Sequence, residues 1–174
     1  QLLAGIYTVN ATNTLTGCSG NMSGSVTITI NPLPGAFTVT GGGGYCSGGT
    51  GVAVGLSGSA TGVNYQLYNG ATPVGATVAG NGSSRTFGVQ TAAGSYSVIA
   101  VNATTGCTNG MLGSALITIN PLPTVYALTG GGAYCVGGTG AHIGLASSNT
   151  GINYQLTNSG GPVVTWSVSP SLPA

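Results

Sequence analysis

The stretch Gly94-Ser95-Tyr96-Ser97-Val98-Ile99-Ala100-Val101-Asn102 decides how this chain is read. Tyr96 and Val98 alternate with small or polar residues, the period of two that suits a strand with one buried face. The same pattern stands 89 residues earlier as Gly5-Ile6-Tyr7-Thr8-Val9-Asn10-Ala11-Thr12-Asn13. That shift also carries Cys18 onto Cys107, Met22 onto Met111, Cys46 onto Cys135, and Asn64-Tyr65-Gln66-Leu67 onto Asn153-Tyr154-Gln155-Leu156. Of the 65 positions from Gly5 to Asn69, 38 match their partners without a gap. A repeat of 89 residues therefore organises the chain.

Working outward, Asn31-Pro32-Leu33-Pro34 returns as Asn120-Pro121-Leu122-Pro123. Proline lacks an N–H and pushes its neighbour toward extended backbone, so each copy reads as a short, stiff linker. One complete domain, 32–120, lies between them. Strands are predicted at Ala36–Thr40, Val52–Leu56, Val63–Tyr68, Pro73–Val78, Arg85–Val89, Gly94–Asn102 and Ala115–Asn120. The runs Gly41–Gly44 and Gly48–Gly51 read as turns between strands, and no stretch has helical periodicity. Seven strands in about 90 residues indicate an all-β fold, an immunoglobulin-like β-sandwich. In that fold Tyr96, opening the sixth strand, either ties its hydroxyl back to the backbone or is simply a cross-strand packing residue.

Composition narrows function by exclusion. The 174 residues include one Lys or Arg, one His and no Asp or Glu. Without carboxylates there are no acid/base pairs and no oxygen cages for hard cations. One cation cannot neutralise a phosphate backbone, which argues against nucleic acid. A spanning helix needs about 20 consecutive apolar residues, and the apolar stretches here run to about five, broken by Gly, Thr or Asn. The 41% hydrophobic content opposes charge-driven disorder. The chain opens on Gln1 with no signal-peptide pattern and reads as a mature protein or an excerpt from a longer one.

The chain is also out of step with its own repeat. Residues 1–31 correspond to the last two strands of a domain, and 121–174 to the first strands of another. Sandwich halves of this kind would expose unpaired strand edges. Gln1–Asn31 is therefore expected to complete the 121–174 half of a neighbouring copy, along a continuous polypeptide or by strand exchange. Val164–Ala174 departs from its counterpart in the repeat.

The motifs Thr40–Leu56, Gly62–Leu67 and Ala93–Cys107 resemble the Ig-like tandem repeats of giant secreted surface and adhesin-type proteins of Bacteroidota. The resemblance spans almost the whole chain. It implies export to the cell surface, long tandem arrays and fibrous or adhesive roles, and it brings no catalytic residue. The lack of acids and the tail after Val163 depart from it.

Four cysteines in such a protein suggest an oxidising compartment and disulfides. In an Ig-like sandwich Cys46 falls in the loop after the first strand, and Cys107 in the loop before the last, at opposite ends of the domain. Those ends are roughly 20–25 Å apart, whereas a disulfide spans Cα atoms about 4.4–6.8 Å apart. Bridges are expected between copies: Cys46 with Cys18 of the next, and Cys135 with Cys107 of the next. Asn10, Asn21, Asn81 and Asn102 each stand in an N-x-S/T triplet, the acceptor pattern for N-linked glycans. The triplets read equally as polar loops, but covalent sugars would help to solvate an uncharged surface. The glycine runs lack the Lys and the following helix of a phosphate loop. His142 stands where the other repeat has Ala53 and reads as an exposed strand residue. Arg85 and Trp166 are likewise single, and Trp166 reads as a packing residue rather than a sugar platform.

The expectation is a structural protein with no catalytic residues, no metal and no cofactor: an extracellular or cell-surface filament subunit whose partner is itself, head to tail. An adhesin stalk or glycan-binding module, with surface glycans as partners, is the alternative.

Overall fold

The computed structural model describes residues 3–159 and 161–167, the last six by backbone alone. Described residues form strands, turns and loops, with no helix among them. The chain divides into two compact units, Gln1–Asn120 and Pro121–Ala174.

The first 31 residues hold four short strands: β1 (Gly5–Tyr7), β2 (Asn10–Thr12), β3 (Ser19–Asn21) and β4 (Val26–Ile28). β1 pairs antiparallel with β4, and β2 with β3.

Nine strands follow: β5 (Val39–Gly41), β6 (Gly43–Cys46), β7 (Val52–Leu56), β8 (Val63–Asn69), β9 (Thr72–Ala79), β10 (Arg85–Gln90), β11 (Gly94–Asn102), β12 (Thr108–Gly110) and β13 (Ala115–Asn120). One sheet has the order β10-β7-β5. The other runs β6-β13-β11-β8-β9, with β12 alongside β11. All pairings are antiparallel except β6 with β13. The alternation read from the sequence sets which face is inside. Val63, Tyr65 and Leu67 of β8, Tyr96, Val98 and Ala100 of β11, and Ala115 and Ile117 of β13 are buried together with Val39, Val54 and Leu56 of the other sheet. The two sheets thus close over one apolar core, a β-sandwich. Each fully buried large side chain in it contributes about 1.5–3 kcal/mol.

The buried tyrosine and serine hydroxyls are paired. The Tyr96 hydroxyl donates to the Ala92 carbonyl at 2.9 Å, the backbone tie at the head of this strand. The Tyr65 hydroxyl accepts from the Ala60 N–H at 2.8 Å. Buried Ser59 donates to the Ser83 carbonyl at 2.6 Å and accepts from the Asn81 N–H at 3.1 Å.

Gly41–Gly44 corrects the sequence reading. The run is a strand crossing rather than a turn: β5 lies against β7 as far as Gly41, and two residues later, from Gly43, β6 lies against β13 in the opposite sheet. The bend is sharp enough to need φ +92° at Gly41, where a Cβ would sit 2.1 Å from the Ala53 carbonyl oxygen. Cys46 is accordingly the last residue of β6 and not a loop residue. Gly48–Gly51 is the turn expected. Pro34, read as part of a short, stiff linker, is buried, and its carbonyl accepts from Asn109 Nδ2 at 2.7 Å.

The unit Pro121–Ala174 holds β14 (Leu128–Gly130), β15 (Ile143–Leu145), β16 (Asn153–Asn158) and β17 (Gly161–Ser167), paired β14 with β15 and β16 with β17. The β16–β17 hairpin occupies the repeat position of β8–β9 despite the divergent sequence, of which the part after Ser167 lies outside the described residues.

Candidate assembly site

The 89-residue offset recurs in the hydrogen bonding. Gly5 pairs with Ile28 as Gly94 does with Ile117, and Ala11 with Gly20 as Ala100 does with Asn109. Leu128 pairs with Leu145 as Val39 does with Leu56. Side chains repeat too. Tyr7 donates to the Leu3 carbonyl at 2.7 Å as Tyr96 does to Ala92. Tyr154 accepts from the Asn149 N–H at 2.9 Å as Tyr65 does from Ala60. Asn13 and Asn102 each accept two N–H bonds from the turn that follows.

What does not recur is burial. Val9 is 62% exposed where Val98 is 1%, Leu128 is 72% where Val39 is 7%, and Ile143 is 45% where Val54 is 1%. Met22 and Val26 are exposed at the positions of buried Met111 and Ala115. The strands shorten in the same places. β11 is one strand of nine residues, seven of them paired with β8, whereas its counterpart breaks into β1 and β2 at Thr8–Val9 and has no such neighbour among the described residues. Likewise 132–135 has no strand where Gly43–Cys46 pairs with β13. Val9, Met22 and Val26 in the first segment and Leu128 and Ile143 in the second are thus exposed at positions that the 32–120 sandwich buries. Singly exposed apolar residues are ordinary, whereas a large contiguous apolar patch is the kind of surface that binds a partner.

All four cysteines are free thiols within the chain; Cys18, Cys46 and Cys135 are exposed, and Cys107 is half-buried. Cys46 pairs in register with Asn120, where the chain leaves the sandwich. Cys107 lies at the other end, its Sγ 3.8 Å from the Asn31 carbonyl oxygen, where the chain comes in.

Two of the four triplet asparagines, Asn10 and Asn21, stand opposite each other, and all four lie in local strands or loops. Asn10 Nδ2 donates to Asn21 Oδ1 at 2.8 Å across β2 and β3. Asn81 Oδ1 accepts from the Ser83 N–H at 3.1 Å. Asn102 Oδ1 holds the Thr104–Thr105 turn, a role it shares with Asn13 and one that an Asn opening such a turn could have signalled. Exposed His142 precedes β15, and its carbonyl accepts from the Gly131 N–H at 2.7 Å; it is a loop residue, because among the described residues β15 pairs with β14 alone, whereas β7 pairs with both β5 and β10. Arg85 opens β10 opposite Leu56, with Nε buried and without a hydrogen-bond partner among the described residues. Trp166 stands opposite Tyr154 in the β16–β17 ladder, and its side chain lies outside the described part.

Among the described residues no cluster of His, Cys, Asp or Glu could hold a metal ion, and no helix is long and apolar enough to cross a membrane. In comparisons with known proteins, no family model and no curated protein matches this chain.

Proposed function

We propose that the chain is a structural subunit of an extracellular filament built from tandem Ig-like sandwiches. The open face of 5–31 in one copy closes on the open face of 121–158 in another, by strand complementation or along a continuous polypeptide. The observation that carries the proposal is the complementary exposure. The first segment exposes Val9 and Val26 at positions that β11 and β13 bury in 32–120, and the second exposes Leu128 and Ile143 at positions that β5 and β7 bury.

Shifting the ladders of 32–120 by one repeat gives the register of the shared sandwich. Val9 falls opposite Leu156, Ala11 opposite Tyr154 and Asn13 opposite Ile152, antiparallel. Ile28–Asn31 then runs parallel to Gly132–Cys135. Main-chain bonds supply affinity in such strand addition, and the alternate side chains supply register. Every copy keeps one face of each kind, so the contact is heterologous and propagates instead of closing on itself. Such an array carries load and spacing, and it needs no site chemistry.

The first experiment is the mass of native material boiled in detergent with reductant, beside electron microscopy of the unboiled sample. A band near 16.6 kDa with ordered filaments means separate copies held by strand exchange. A far larger band with filaments means one continuous chain of repeats. Single flexible threads would instead support the adhesin stalk, and material without extended assemblies refutes the filament.

A further inference from the structure

Resting on the reading of these segments as two halves of one shared sandwich, we infer that two disulfides cross each junction between copies. Cys46 of one copy bonds Cys18 of the next, and Cys135 of the first bonds Cys107 of the next. The geometry converges on one asparagine. Asn120 directly precedes the Pro121-Leu122-Pro123 linker, pairs in register with Cys46, and accepts from the Ser47 N–H at 2.8 Å. Asn31 holds the same place one repeat earlier, and its carbonyl oxygen lies 3.8 Å from Cys107 Sγ on the downstream side. Each linker asparagine is thus bordered upstream by a cysteine of the 46/135 position and downstream by one of the 18/107 position.

Neighbouring strands run about 4.7–4.9 Å apart, and a disulfide joins Cα atoms about 4.4–6.8 Å apart. Two cysteines on opposite sides of one asparagine stand up to about two such spacings apart, so the bridge forms only where docking brings the incoming cysteine to the same side of the asparagine as its partner. Within one chain they do not meet, because Cys46 sits where β13 leaves the sandwich and Cys107 where the chain enters it. The missing neighbours are supplied by the next copy. Its head brings Cys18 to Asn120, and the same docking sets Cys135 beside Asn31 and therefore beside Cys107.

Each bridge joins two sulfurs with loss of two protons and two electrons. A small-molecule disulfide takes up both and leaves as two thiols, by exchange through a mixed disulfide. The exposure of Cys18, Cys46 and Cys135 leaves them open to that exchange. The bridges would turn a strand-exchanged contact into a covalent one, with each linker stapled at its asparagine.

Filaments assembled with glutathione disulfide are digested with chymotrypsin without reductant, and the linked peptides are identified by mass spectrometry. The expected links are Cys18 with Cys46 and Cys107 with Cys135, both lost on reduction. They read the same for separate and continuous chains. The double variant C18S/C107S is expected to form filaments that lack both links. Wild-type filaments with all four thiols free, or linked as Cys46–Cys107 or Cys18–Cys107, overturn the disulfides while the shared sandwich stands. A wild type that forms no filament under oxidising or reducing conditions overturns both.

Discussion

Two tyrosines use their hydroxyls in opposite senses, and the difference is measurable. Tyr65 accepts from the Ala60 N–H, which is half-buried, while Tyr96 donates to the carbonyl of exposed Ala92. Tyr65→Phe strands a donor away from water, at a cost of about 1–3 kcal/mol, whereas Tyr96→Phe leaves an acceptor that water can reach, at about 0.5–1.5 kcal/mol. Urea unfolding of the two variants is expected to rank Tyr65→Phe as the less stable; equal midpoints would refute the assignment. Gly41 tests the strand crossing. Gly41→Ala meets both a left-handed φ and a carbonyl oxygen 2.1 Å from the new Cβ. The backbone penalty alone is about 1–3 kcal/mol, so the midpoint is expected to fall by at least that much. An unchanged midpoint would mean that β5 and β6 do not cross there. The crossing was not legible in the sequence, because four consecutive glycines look alike whether they turn a hairpin or let one strand change sheets.

At the scale of elements, the sequence marks strands well and their partners poorly. Val52–Leu56 and Gly94–Asn102 form as read, because alternating apolar residues specify a buried face whatever lies beside it. The break between β1 and β2 was invisible, because Gly5–Asn13 carries the same pattern as β11 and lacks only the neighbour that pairs with Thr8 and Val9. Burial was illegible for the same reason: Val9 and Val98 are one residue type in one motif with opposite exposure. That pair supplies a test of the shared sandwich. Val9→Lys falls on an exposed position and is expected to leave melting of the 32–120 sandwich unchanged, while placing a charge in the shared core. Each 1.4 kcal/mol of lost association is about tenfold in affinity, and an unpaired buried charge costs several times that. The sedimentable fraction is expected to fall at least about tenfold, and Leu156→Lys to do the same from the other face. Normal assembly of both variants would show that these faces do not meet.

For the whole molecule, the composition sets how the fold responds to its surroundings. Acid usually unfolds proteins because carboxylates held ionised in the native state must take up protons, so stability falls with pH through their depressed native pKa values. This chain has no Asp or Glu. Between about pH 5 and 2 no side chain changes charge at ordinary pKa values. No Asp or Glu is present to bind protons unequally in the folded and unfolded states, so the acid-side loss of stability that carboxylates bring to other proteins is absent. With a formal net charge of +1 there is also little for salt to screen. What holds the sandwich is burial of Tyr65, Tyr96, Leu56, Leu67 and Ile117 with the backbone ladders around them, and neither depends on ionisation. Melting temperature and filament length are therefore expected to stay level from about pH 5 to 2 and from about 0.01 to 1 M salt. A fall of more than about 5 °C across either range, which is roughly 1 kcal/mol for a domain of this size, would mean that ionisable groups carry part of the stability. A level profile would mark assembly as apolar and main-chain in origin, which suits a filament outside the cell, where acidity and ionic strength are not held constant.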